Sequence, residues 1–105
     1  MMNPIDKPVV ESMLRSYVGA DVYLHSEATS FMFVRNFKVN VTHAFVAGEG
    51  PVYRAALRFD GHGWLRMEAL THYEAEGDSR LLLAGYDDRG RMNVALHIGK
   101  EPFSE

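Results

Sequence analysis

Two stretches of the chain carry the same pair of chemistry-bearing residues at the same spacing. His72 and Glu74 stand two apart in LTHYE, and His25 and Glu27 repeat the pattern in YLHSEA. On a strand, residues i and i+2 point to one face, so each pair presents an imidazole beside a carboxylate. Brought together, His25, His72 and Glu74 could ligate zinc, manganese or iron, and with an arginine such as Arg66 they would make a small metal-dependent hydrolase. The pattern lacks the helical i, i+4 signature of the HExxH hydrolases. The plainer reading has both histidines partly buried and satisfied by backbone or tyrosine hydroxyls, with Glu74 capping a turn.

Around His72 the alternation is unusual. Trp64, Arg66, Glu68, Leu70, His72 and Glu74 share one parity, and Leu65, Met67, Ala69, Thr71 and Tyr73 share the other, which reads as the core face. The mixed face is either a solvated outer surface held by cross-strand charge pairs such as Arg54 with Glu68, or a concave one. A concave face would make Arg66, Glu68 and His72 ligand contacts, and these join His25 and Glu74 as the candidate ligand-binding residues. His43 lies among Val41 and Phe45 on an apolar parity and reads as a core histidine, while His62, in the turn DGHG, reads as exposed. No serine has a GxSxG context, and neither GEGP nor DRGR has the strand, loop and helix order of a phosphate loop. No catalytic residue and no cofactor is assigned.

These side chains must be positioned by one helix and a series of strands. Val9, Met13 and Tyr17 recur at steps of four, as do Val10, Leu14 and Val18, which predicts an amphipathic helix over 8–18. Asp6 is its expected N-cap, Pro8 sits in its first turn and Gly19 stops it. From there the period becomes two. Strands are expected at 22–25, 31–47, 52–59, 63–73, 80–86 and 91–98, with a bend near Arg35 and Asn36 or one long curved strand between 31 and 47. The turns DGHG, EGDS and DDRG are short enough to force antiparallel neighbours. The expected fold is α+β, mainly β: one N-terminal helix packed on a five- to six-stranded antiparallel meander that forms a small barrel or sandwich. A single domain spans 1–105, with the meander over 20–98 and a tail over 99–105 that lays Phe103 on the core.

Composition narrows the classes further. The 105 residues contain no cysteine, which excludes disulfides, thiolate metal sites and cysteine nucleophiles. Eleven Lys and Arg against fourteen Asp and Glu give a net charge of -3, without the cationic surplus that phosphate neutralisation needs. Phe31, Phe33, Tyr53, Trp64 and Tyr73 could stack bases, but they fit apolar parities better, so no nucleic-acid partner is expected. Charges and prolines interrupt every apolar run near the N-terminus, so neither a signal peptide nor a membrane span is expected and the cytoplasm is the simplest location. The unbroken stretch Phe31, Met32, Phe33 and Val34 puts apolar side chains on both faces of one strand, which points to a homodimer.

The segments VYLHSEAT, RNFKV, LTHYE, RLLLAGYDDRGR and KEPF resemble the YojF family of small bacterial proteins of unknown function. The likeness runs from about Asp21 to Phe103, and THYE followed by LLLAGYDD is its most specific part. It implies a compact, mostly β cytosolic domain and no established activity. It also implies a link to low-molecular-weight thiol (bacillithiol) synthesis, because members are encoded near a deacetylase of that pathway, and a thiol-synthesis enzyme becomes a candidate protein partner. Between His25 and Phe31 the chain is shorter than some relatives. The combined expectation is a non-enzymatic binding or accessory protein, the small His/Glu enzyme being the alternative.

Overall fold

The computed structural model describes residues 2–29 and 32–104. Its elements, in chain order, are β1 (Asn3–Pro4), α1 (Lys7–Arg15), β2 (Asp21–Ala28), β3 (Met32–Ala47), β4 (Tyr53–Phe59), β5 (Gly63–Leu70), β6 (His72–Glu76), β7 (Arg80–Tyr86) and β8 (Met92–Gly99). The fold is mainly β with one helix, as the periodicity implies. Among the described residues there are eight strands rather than five or six. Pro4 and Asn3 add a short edge strand, and the run over 63–73 divides at Thr71 into two strands. All pairings are antiparallel, in the order β1-β6-β7-β8-β2-β3-β4-β5, and the ladder does not close into a barrel. Instead the sheet folds over, so that β5 lies against β7 and β8 across a core of Val22, Leu24, Leu57, Leu83, Leu96 and Ile98.

The fold-over is made by two strands that change sheets. The sixteen residues of β3 pair with β2 through Met32–Asn40 and with β4 through Val41–Ala47. Asn36 bulges out of the first ladder at φ 56°, a left-handed conformation that asparagine tolerates better than most side chains, so the bend expected near Arg35 and Asn36 is a bulge within one long strand. A second irregularity at Thr42 reverses the parity. Ala44 and Val46 then enter the core, and His43 and Phe45 turn outward. His43 is therefore an exposed histidine and not the core residue its apolar neighbours suggest.

The second change of sheet comes between β5 and β6. Ala69, at φ 62°, adds a residue to the alternation, so that Leu70 is buried and Ala69 is exposed, the reverse of the expected parity. Here the backbone passes so close to β7 that a Cβ at Gly85 would collide with the carbonyl of Ala69. Beyond the corner, Tyr73 and Ala75 face the core again.

Because β2 leaves β3 at Asn40, one edge of β3 beyond Val41 has no strand partner, and α1 with the turn after it covers that edge. Gly19 N donates to Val41 O at 2.7 Å and Val41 N donates to Ala20 O at 3.2 Å. Further along, Arg15 Nε donates to Ala44 O, Glu11 Oε2 accepts from Val46 N at 2.9 Å, and Lys7 Nζ donates to Gly48 O. The helix buries Val10 and Leu14, and Tyr17 follows them into the core from the turn. Val9 and Val18 stay exposed, so the apolar stripe is narrower than the two expected rows. Asp6 occupies the N-cap position without a side-chain bond to the first turn. The tail also differs from expectation: Phe103 is buried, but on the outer face of the sheet against His97 and not on the main core.

The Glu11 carboxylate is thus a structural acceptor for a buried strand amide. Glu11→Ala is expected to cost about 1–3 kcal/mol, the penalty for an unsatisfied buried donor, while Glu11→Gln, which still offers an oxygen, costs less. Urea unfolding of the two variants checks this, and equal midpoints for Glu11→Ala and the parent protein would contradict it.

Candidate functional site

The five residues singled out by sequence occupy three places. His25 lies on β2, in register with His97 of β8 and Arg35 of β3. His72 and Glu74 lie on β6, in register with Ala84 and Leu82 of β7. From β2 to β6 is three strand spacings, about 14 Å, so the two His-x-Glu pairs share a face of the sheet without meeting. Among the described residues no group of three His, Asp or Glu side chains is placed to hold a metal ion. His72 is instead satisfied locally. Its Nδ1 lies 2.7 Å from the Thr71 hydroxyl and its ring meets the edge of Tyr86 at 5.2 Å, so the partner is a threonine and not the backbone or tyrosine hydroxyl expected.

Arg66 and Glu68 lie on β5, beyond the corner. They pair with each other at 3.3 Å, both largely exposed, a contact that contributes at most about 1 kcal/mol. They do not join His72 in a concave pocket, because the irregularities at Ala69 and Thr71 carry His72 onto the other part of the sheet.

His25 sits in a denser cluster that the spacing of its neighbours in sequence does not reveal. Arg35 Nη1 lies 2.8 Å from His25 Nδ1, and because a guanidinium only donates, Nδ1 accepts. The proton therefore resides on Nε2, which donates to Glu27 Oε1 at 3.0 Å. Arg35 also donates to the carbonyl of Ser104, through Nε at 2.7 Å and through Nη2. The tail is held by Asn36 as a strand would hold it: Phe103 N donates to Asn36 Oδ1 at 2.7 Å, and Asn36 Nδ2 donates to Phe103 O at 2.9 Å. The Phe103 ring packs on His97 at 4.8 Å, with the guanidinium groups of Arg35 and Arg80 5.6 and 5.0 Å from its centroid. Burial lowers the pKa of His97, and Arg80, His25 and Arg35 add to the lowering against an opposing pull from Glu76. The lone Phe after Pro in KEPF was the sequence signal that the tail docks somewhere.

A third surface is the outer face of β3, β4 and β5. Phe45, Ala56 and Arg66 form one cross-strand row, and His43, Arg58 and Trp64 form the next. Trp64 is 56% exposed and meets Phe45 at 6.0 Å and His43 at 6.3 Å, with the Arg58 guanidinium 5.9 Å from its ring. A shallow depression of about 520 Å³ lies over Phe45, Ala56, Trp64 and Arg66. The depression is open to solvent.

The structure thus defines a small, mainly β domain whose singled-out polar and aromatic side chains are spread over separate parts of the sheet. Among the described residues no helix is long and apolar enough to cross a membrane. The chain belongs to the YojF family: the family model described as "Protein of unknown function (DUF1806)" matches residues 4–103. It is 32% identical over 117 residues to the uncharacterized protein YojF of Bacillus subtilis (strain 168), covering 98% of this chain and 99% of that one. The crystal structure of Bacillus subtilis YojF superposes with a TM-score of 0.88 at 35% identity, covering 99% of this chain and 98% of that one.

The depressed pKa of His97 has a consequence for stability. The unfolded histidine takes up its proton near pH 6.5 and the folded one only at lower pH, so the unfolded chain binds more protons in between. Stability is therefore expected to be full above about pH 6.5, to fall as pH drops through the unfolded value, and to level off below the folded one. Ring titration by NMR together with urea midpoints at pH 5 and 7 checks this. A His97→Gln variant should show a flatter dependence, and a His97 that titrates at or above 6.5 would contradict the prediction.

Proposed function

We propose that the chain is a non-enzymatic binding domain of the cytoplasm, and that the outer face of β3, β4 and β5 docks an acidic protein surface. The observation that carries this reading is the exposed Trp64 beside Phe45 and His43, with the Arg58 guanidinium against its ring, Arg54 further along the same face of β4 and the Arg66–Glu68 pair beside it on β5, in a chain whose net charge is negative. Aromatic and arginine side chains are the types enriched where interfaces bind most strongly. Local positive charge on an acidic domain steers an acidic partner to this face and away from the others. The proposed partner is the bacillithiol-synthesis deacetylase to which the family resemblance points. Small-molecule chemistry on a His25, His72 and Glu74 cluster has no support, because β2, which carries His25, is three strand positions from β6, which carries the other two.

Self-association is a second reading, favoured by Phe33. This ring is 64% exposed beside Met32 near the end of the β2–β3 hairpin, away from the aromatic face, while Phe31 lies outside the described residues. Size-exclusion chromatography with light scattering tests both readings at micromolar concentration. The protein alone is expected at the mass of a dimer, and with the purified deacetylase at the mass of a complex that an Arg58→Glu/Arg66→Glu variant fails to form. A monomeric mass would remove the self-association. Absence of a complex, or equal binding by the variant, would remove the docking face, as would salt-sensitive binding of single-stranded DNA to that face.

A further inference from the structure

We propose that the cleft between β2, β3 and β5 is a binding site for a small, neutral, one-ring molecule bearing a single hydroxyl, which the hydroxyl of Ser26 recognises. This site borders the docking face at Trp64, but its walls and its one hydroxyl lie on other residues, and its ligand does not depend on the docking. Ser26 is the one buried polar residue among the described residues, 2% exposed, and its Oγ has no hydrogen-bond partner. A buried hydroxyl left unpaired costs roughly 1–3 kcal/mol, so such a group calls for an explanation. It shares the inward parity of β2 with Val22 and Leu24 and lines a cleft of about 180 Å³ whose walls are Leu24, Val34, Phe59 and Leu65.

Three further observations fix the class of ligand. The volume is below the ordinary range for drug-sized ligands, about 300–1,000 Å³, and near the roughly 150 Å³ of an apolar cavity that takes up one benzene. Among the described residues no Asp, Glu, Lys or Arg lines it, so a charged ligand would enter without a counter-charge. Its border carries Met32, Phe37 and Trp64, three of the nine large apolar side chains exposed among the described residues, with His62 of the β4–β5 turn 6.3 Å from Phe37. An apolar rim leading to apolar walls and one unpaired hydroxyl matches a phenol-like molecule: the ring takes the walls and its hydroxyl exchanges a hydrogen bond with Ser26 Oγ.

Phenol and toluene separate ring burial from hydroxyl recognition, since they differ only by a hydroxyl in place of a methyl. In titrations of the 15N-labelled full chain, phenol is expected to shift the amides of residues 24–26, 34 and 65, and toluene to bind the same place more weakly. Ser26→Ala should weaken phenol about fivefold, the value of one ordinary hydrogen bond, and leave toluene unchanged. The same variant should be as stable as the parent or more so, because it removes an unpaired hydroxyl. No shifts in the cleft at millimolar phenol would overturn the proposal. So would equal weakening of both ligands by Ser26→Ala, or a loss of stability in that variant, which would reveal an internal partner for the hydroxyl.

Discussion

A single strand serving two parts of the sheet is the constraint on which the rest of the structure depends. β3 is held by β2 over its first half and by β4 over its second, and the division leaves the edge beyond Val41 without a strand. Unpaired amides and carbonyls at a buried edge would cost more than a domain of this size could lose. The side chains of Lys7, Glu11 and Arg15 take the place of the missing strand, which explains why a helix of nine residues is fixed where it is. Its apolar contribution is small, Val10 and Leu14, and its polar contribution is to finish a ladder.

The same strand organises both surfaces with chemistry on them. The bulge at Asn36 aims Arg35 at His25 and turns the Asn36 amide toward the backbone of Phe103, so the tail is received almost as an added strand. The irregularity at Thr42 then brings His43 and Phe45 outward beside Trp64. Two single-residue insertions thus create two faces, one closed by the tail and one open. The open one has the exposed aromatic groups, with Arg58 against Trp64 and Arg66 paired with Glu68, and the closed one has its cations occupied by Phe103 and Ser104.

How much of this was legible in sequence follows from what periodicity can and cannot carry. The helix, the alternation of β2, the short turns and the bend at Asn36 were readable, because each leaves a mark in residue type: a step of four, a step of two, a Gly, an Asn that accepts positive φ. The insertions at Thr42 and Ala69 leave none. Threonine fits an ordinary strand, and alanine at φ 62° contradicts its own preference, so the parities of His43, Ala69 and Leu70 came out reversed. Whether the candidate residues meet is decided by strand order. His25 and His72 do share an outer face, but β7 and β8 lie between their strands, and a pairing of β2 with β8 is not encoded in any local pattern. His97, Arg35 and Arg80 were missed for the same reason, since only the ladder brings them under one aromatic ring.

Docking on the open face, with a structural role for the closed one, is the central proposal. Its most direct test is amide and indole shift mapping of the 15N-labelled chain on addition of the deacetylase. The Trp64 indole and the amides of Phe45, Ala56 and Arg66 are expected to move together, with the amides of His25, His72 and Glu74 unchanged. The largest changes at His25, His72 and Glu74, with Trp64 unmoved, would contradict it.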